Sequence, residues 1–292
     1  MVNTFVNGLT KFVGNTPLIE VSKVFGARNP LHVDLSYMNP SGSIKDLPVL
    51  NILRHLQKTG ELQKHGGIIE VTSGNTGIAL SYWANALQVR AVVIMPKGMS
   101  KERKKMMELL GADVMEKGRD FEEAREHAKY LAHKENLIYL GQFSRDQNPQ
   151  AYNVLAKKIL KKKVKYVVAG VGTGGTLMGL AGVLKPKGVR VIAVFPKEKK
   201  HGIQGIGDGI FGSFYKPELV DEEFRVSTKE AQSFMRELWT NGFLVGRSSG
   251  ANLIAALSYS ENGSVATVFP DSWDRYFSVE DKHINFISGG LR

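Results

Sequence analysis

The 292-residue chain contains no cysteine. Disulfides and cysteine-ligated metals are therefore excluded. No apolar run approaches the about 20 residues that a membrane-spanning helix requires. Residues 1–9 lack the basic start and long apolar core of a secretory signal. Together these absences lead us to expect a cytoplasmic protein with no membrane partner. There is also no acidic excess: Lys and Arg outnumber Asp and Glu, for a formal net charge of +11. The basic residues are spread over several segments, such as 101–105 and 157–165, and no compact block is interleaved with aromatics. That distribution argues against a nucleic-acid partner. It fits a solvated basic surface that favours small anions.

No internal repeat, low-complexity tract or flexible linker divides the sequence. What it does contain is ordinary for a globular protein: 42% hydrophobic and 23% charged residues, on a chain long enough for two modest domains or one large one. Short apolar strands at 18–21, 31–35, 67–71, 89–95, 113–115, 137–140, 164–169, 190–195, 224–226 and 264–269 alternate with helical patterns. The helices are expected at 78–87, 100–110, 121–136, 151–160, from 175 to about 184, at 228–241 with Thr228 as N-cap, and at 251–259. This rhythm indicates a parallel α/β architecture. We expect two compact lobes that share strands, each built on a mainly parallel sheet flanked by helices.

One octapeptide stands out, Asn39-Pro-Ser-Gly-Ser-Ile-Lys-Asp46. Its Pro, Gly and Ser residues make a tight turn, and an apolar helical pattern follows through Val49, Leu50, Ile52, Leu53 and Leu56. Pro48 is tolerated only in a first turn, so the helix must begin close to Lys45. A lysine there faces the positive end of a helix dipole, the reverse of a stabilising placement. Its charged form is disfavoured, and a neutral amine attacks carbonyls to form a Schiff base. The plain alternative is an ordinary surface lysine.

Two glycine-rich stretches each follow a strand and open a helix. Gly170-Val-Gly-Thr-Gly-Gly-Thr176 presents backbone N–H groups to a phosphate, with hydroxyls from Thr173 and Thr176. Its spacing also satisfies the dinucleotide fingerprint. That reading needs an acidic residue at the end of the next strand, where Val194-Phe-Pro-Lys197 stands and Glu198 arrives late. A close strand-to-helix turn without a ligand is the third alternative. Thr72-Ser-Gly-Asn-Thr-Gly77 is rich in hydroxyl and amide groups and has no phosphate-loop lysine, which suits a carboxylate. Ser248-Ser-Gly250 precedes a further helix and by itself reads as a cap.

In this order, these motifs resemble those of the cysteine synthase/cystathionine β-synthase family of fold-type II (tryptophan synthase β-like) pyridoxal-phosphate enzymes. The resemblance covers nearly the whole chain. It includes Asn15-Thr-Pro-Leu18, Gln142-Phe143, Gly202-Ile-Gln-Gly-Ile-Gly207, Gly246-Arg-Ser-Ser-Gly-Ala251 and Pro270-Asp-Ser-Trp-Asp-Arg-Tyr276. It implies that Lys45 carries pyridoxal 5'-phosphate as a Schiff base. It further implies that Asn75 bonds the ring hydroxyl oxygen, that Gly172, Thr173, Gly174, Gly175 and Thr176 hold the phosphate, and that Ser248 meets the ring nitrogen. Thr72, Ser73, Asn75, Thr76, Gln142 and Gly205 would receive the substrate. A smaller lobe at 37–145, a larger lobe of 1–36 with 146–292, and a homodimer are the corresponding expectations.

Three positions depart from the family pattern: Leu47 stands where Arg is common, Asp208 where Ala is common, and Arg247 where an apolar residue is common. The chain ends soon after the last strand, so no appended regulatory module is expected. The reading is a β-replacement enzyme that makes cysteine from O-acetylserine or O-phosphoserine and sulfide, with no metal. The same-chemistry alternative is a cysteine β-lyase releasing sulfide, with Asp208 as a catalytic group. A nicotinamide-dependent oxidoreductase and a cofactor-free binding protein of the same fold are the alternatives from other classes.

Overall fold

The computed structural model describes residues 8–207 and 209–277. Asp208, the candidate catalytic carboxylate, lies outside the described residues.

Two sheets organise the chain. The larger has six strands in the order β1-β2-β10-β7-β8-β9. These are β1 (Leu18–Glu20), β2 (Leu31–Asp34), β7 (Tyr166–Gly170), β8 (Arg190–Pro196), β9 (Glu222–Val226) and β10 (Val265–Val268). Only the β1–β2 pair is antiparallel. The smaller sheet is fully parallel, in the order β5-β4-β3-β6. It comprises β3 (Ile68–Val71), β4 (Ala91–Met95), β5 (Asp113–Glu116) and β6 (Ile138–Tyr139). The expected sharing of strands is not seen among the described residues. Instead, the chain lays β1 and β2 on the larger sheet, builds the smaller sheet, and returns.

Both faces of each sheet are covered, so the central strands are apolar throughout instead of alternating. Along β7 and β8, Val167, Ala169, Val191 and Ala193 enter one core cluster, while Val168, Ile192 and Val194 enter another. In the smaller sheet, Ala91, Val93 and Met95 face one cluster, and Val92 and Ile94 face a second. This is the two-residue period of a pleated strand sandwiched between helices.

The helices are α1 (Ser22–Phe25), α2 (Asp46–Lys58), α3 (Asn75–Ala86), α4 (Lys101–Leu109), α5 (Phe121–Lys134), α6 (Gln147–Gln150), α7 (Asn153–Leu160), α8 (Gly175–Leu184), α9 (Thr228–Thr240) and α10 (Arg247–Ser260). Three boundaries differ from expectation in an informative way. Helix α3 starts three residues before Ile78, and α10 four residues before Ala251. Each is preceded by an extended glycine N-cap, Gly74 and Gly246. In α9 the N-cap is Ser227, not Thr228. Ser227 accepts from the Glu230 N–H, and Glu230 reaches back to the Ser227 N–H, forming a capping box. Thr228 spends its hydroxyl elsewhere, accepting from the Gly202 N–H at 2.9 Å.

Candidate active site

Four helices begin at one place. Lys45 is the N-cap residue of α2, Asn75 opens α3, Gly174 and Gly175 open α8, and Ser248 lies in the first turn of α10. All five line a single cleft, together with Gly172, Thr173, Thr176 and Gly205. The cleft sits beyond the C-terminal ends of parallel strands, with Gly170 of β7 and Val268 of β10 in its wall. The N-terminal ends of four helices, and with them the positive ends of their dipoles, therefore border it, an arrangement that attracts anions.

The Lys45 loop is held rigidly from behind. The fully buried Asp46 accepts from Trp83 Nε1 at 2.7 Å and from the Ser41 N–H at 2.7 Å. Burial pushes its pKa up to about 6, against the pull of the Ser41 and Trp83 bonds. Gly42 adopts φ +82°, and a Cβ there would collide with the Arg275 guanidinium. The Ile44 N–H donates to the Pro270 carbonyl at 2.7 Å. Leu47, where the family pattern has Arg, is buried in a core cluster on the six-stranded sheet.

The phosphate-type loop is built so that only glycine fits. A Cβ on Gly172 would collide with the Gly205 carbonyl, and one on Gly175 with the Asn148 side chain. Gly174 takes φ +90°, and its Cβ would lie 2.6 Å from the Tyr215 ring. Thr173 is pinned through its carbonyl by the Gly212 N–H at 2.8 Å. The start of α8 therefore borders the cleft with no side chain on Gly172, Gly174 or Gly175 to cover it. This cradle fits a phosphate ester, and Lys45 on the same cleft fits an aldehyde.

None of Thr72, Ser73, Thr76 and Gln142 lines the cleft itself; their loop contributes Asn75 to its wall. Thr76 Oγ1 donates to Gln142 Oε1 at 2.8 Å, and Thr72 Oγ1 accepts from the Gly74 N–H at 3.2 Å. Their support is a residue that sequence reasoning missed. Glu70 is fully buried in β3, where it accepts from the N–H groups of Val71 (2.8 Å), Gly141 (3.1 Å) and Gln142 (3.1 Å). The signal was a lone carboxylate inside the apolar run Ile68-Ile-Glu-Val71.

Burial pushes the Glu70 pKa up to about 7 from 4.5, although those three hydrogen bonds oppose it. A raised carboxyl pKa means that the folded state holds the proton longer. The group's contribution to stability is therefore complete below pH 4.5 and is lost as pH rises through about 7. Between pH 4.5 and 7.5, the unfolding free energy of the wild type should fall relative to Glu70→Gln by on the order of 3 kcal/mol. Denaturant melts of both proteins across that range check the sign. A difference independent of pH contradicts it.

Arg247 stands at the start of α10. Its Nη1 donates to the Gly202 carbonyl at 3.1 Å, tying α10 to the 202–207 loop. Other polar residues missed in sequence line the cleft: Gln204, Asn252 and Asp271, each with a buried side-chain oxygen that makes no hydrogen bond within the protein. Among the described residues, no cluster of His, Cys, Asp or Glu could hold a metal ion, and no helix is long and apolar enough to cross a membrane.

Residues 9–271 match the pyridoxal-phosphate dependent enzyme family. The chain belongs to it. This pyridoxal-phosphate dependent enzyme is 35% identical to a cysteine synthase of Aquifex aeolicus, over 93% of this chain and 90% of that protein. Among solved structures it resembles O-acetyl serine sulfhydrylase isoform 3 of Entamoeba histolytica (TM-score 0.87, 32% identity, 93% of this chain and 90% of that one). It is equally similar to a hydrogen sulfide-producing enzyme of Fusobacterium nucleatum (TM-score 0.87, 32% identity, 92% and 97%). The cofactor is thus pyridoxal 5'-phosphate, the fold is that of the fold-type II enzymes, and the chemistry is of the transferase type. The nicotinamide and cofactor-free alternatives fall away for this pyridoxal-phosphate dependent enzyme.

Proposed function

We propose that the protein is a cysteine synthase that replaces the β-substituent of O-acetylserine or O-phosphoserine with sulfide. The observation that carries this reading is the convergence of one lysine, one glycine cradle and four helix N-termini on a single cleft. Bound pyridoxal phosphate supplies an aldehyde that takes the amino-acid nitrogen and a conjugated ring that stores the electron pair left on Cα.

In this reading Lys45 holds the cofactor until substrate arrives. Its freed Nζ then takes the proton from substrate Cα, which permits departure of the β-substituent. Lys45 Nζ would return that proton to Cα once sulfide has taken the place of the β-substituent. Gly172 to Thr176 fix the phosphate. Asn75 donates to the ring oxygen. Ser248 faces the ring nitrogen; a hydroxyl there does not force protonation as a carboxylate would, and this suits β-elimination and replacement. The Thr72–Thr76 loop and Gln142 receive the substrate carboxylate, and Gly205 borders the β-substituent. We assign the loop-bearing smaller lobe to 37–145 and the larger lobe to 1–36 with 146–292. The assembly is taken as a cytoplasmic homodimer.

A second reading is a β-lyase that releases sulfide from cysteine, favoured by the likeness to the Fusobacterium nucleatum enzyme. Turnover of O-acetylserine plus sulfide, O-phosphoserine plus sulfide, and cysteine alone, measured side by side, separates the two. The first reading predicts faster formation of cysteine than of sulfide; dominant sulfide release overturns it. In the same assay Thr72→Ala and Gln142→Ala should raise the substrate KM about tenfold or more while retaining cofactor, because each removes hydrogen bonds to a charged group.

A further inference from the structure

The side-chain amide of Asn75 is held at both ends by groups of opposite charge. Its Oδ1 accepts from Arg275 Nη1 at 3.0 Å, and its Nδ2 donates to Asp271 Oδ2 at 2.6 Å. Turning the amide over would set its oxygen against the carboxylate and its NH₂ against the guanidinium. Both contacts would be repulsive, and both partners are only 1% exposed, so water would not screen them. The amide is thus locked in one orientation. After these bonds one N–H of Nδ2 is left, and Asn75 lines the cleft.

The two clamping residues are themselves fixed. Asp271 Oδ2 also accepts from the Tyr276 hydroxyl, and Arg103 lies over the Tyr276 ring, 5.9 Å from its centre. The other Asp271 oxygen packs against Gly246, where a Cβ would lie 2.6 Å from it. Arg275 Nη2 donates to the Ser41 carbonyl at 3.0 Å. Asp271 also bridges Ser43 through the backbone. The 270–276 strip therefore touches both the lysine loop and the Asn75 loop.

We propose that Asp271 and Arg275 are positioning residues that lock the Asn75 amide with its remaining N–H directed at the cofactor's ring oxygen. The proposal deepens the function given above and rests on its assignment of Asn75 to that oxygen. It predicts that the clamp acts on the cofactor only through Asn75. In Asp271→Asn, the new amide offers either an oxygen or an NH₂ to Asn75, and the orientation is no longer enforced.

The test starts from the holoenzyme and measures retention and affinity of pyridoxal phosphate, together with the position and width of its visible absorption band. The proteins are the wild type, Asn75→Ala, Asp271→Asn, Arg275→Lys and the double variant Asn75→Ala/Asp271→Asn. Asp271→Asn should weaken cofactor affinity about tenfold and shift or broaden the band. In the Asn75→Ala background the same substitution should change neither. An equal loss in both backgrounds means that Asp271 serves the fold alone, and the proposal falls while the Asn75 assignment stands. No change in Asn75→Ala itself removes the Asn75 assignment, and the proposal with it. Should Asp271→Asn fail to fold, Arg275→Lys takes its place, alone and combined with Asn75→Ala. A loss confined to the Asn75 background then supports the clamp, and an equal loss in both overturns it.

Discussion

Lys45→Ala is expected to lose the visible cofactor band and at least about 10³-fold in turnover. Two roles rest on the one amine: covalent attachment of the cofactor and transfer of the Cα proton. Lys45 is the lysine that lines the cleft, next to the cradle at the start of α8. Its backbone is fixed by the Asp46 bonds to Trp83 and Ser41, which alanine at position 45 leaves intact. The variant should therefore keep the fold, with the far-ultraviolet circular dichroism of the wild type. Near-normal turnover in a folded Lys45→Ala protein contradicts the assignment.

Gly174→Val should leave the protein without bound cofactor, lowering affinity by about two orders of magnitude or more. Two independent strains meet at this residue. Its φ of +90° is a conformation that β-branched residues avoid, and a Cβ would stand 2.6 Å from the Tyr215 ring. Either Tyr215 moves or the loop opens, and the N–H groups at the start of α8 leave their converging arrangement. The measurement is the ratio of cofactor to protein after dialysis, with far-ultraviolet circular dichroism to show that the helices persist. Full retention in Gly174→Val, combined with cofactor loss in Thr72→Ala or Gln142→Ala, would mean that the two loops have exchanged roles.

The alternation of strands and helices was legible because strands buried on both faces are apolar throughout and are punctuated by glycine. The order of the motifs was equally legible. Of the four helix starts at the site, those near Lys45 and at Gly175 were legible and the other two were not. The apolar pattern of α3 begins at Ile78 and that of α10 near Ala251, but both helices begin earlier, at Asn75 and Arg247. Their first turns are polar because those residues adjoin the cleft instead of the core. A periodicity argument therefore starts each helix one turn late at the very place where function sits.

The supporting residues were hidden for another reason. Glu70 binds N–H groups about 70 positions away, and Asn75 meets Asp271 and Arg275 across about 200. Composition and spacing carry no trace of such pairings. Glu70 was visible as an anomaly in an apolar strand, but its partners were not. Arg247 shows the converse. Its unusual identity marks the position in the sequence but not the contact it makes: the guanidinium bonds the Gly202 carbonyl and holds a loop.

The most direct measurement of the central claim is borohydride reduction of the holoenzyme, followed by digestion and mass mapping of the peptide that retains the cofactor. Reduction fixes the lysine–cofactor bond wherever it lies. The expected result is a single modified peptide containing Asn39 to Asp46 with the label on Lys45. Label on any other lysine would contradict the assignment of Lys45 and of the cleft it lines.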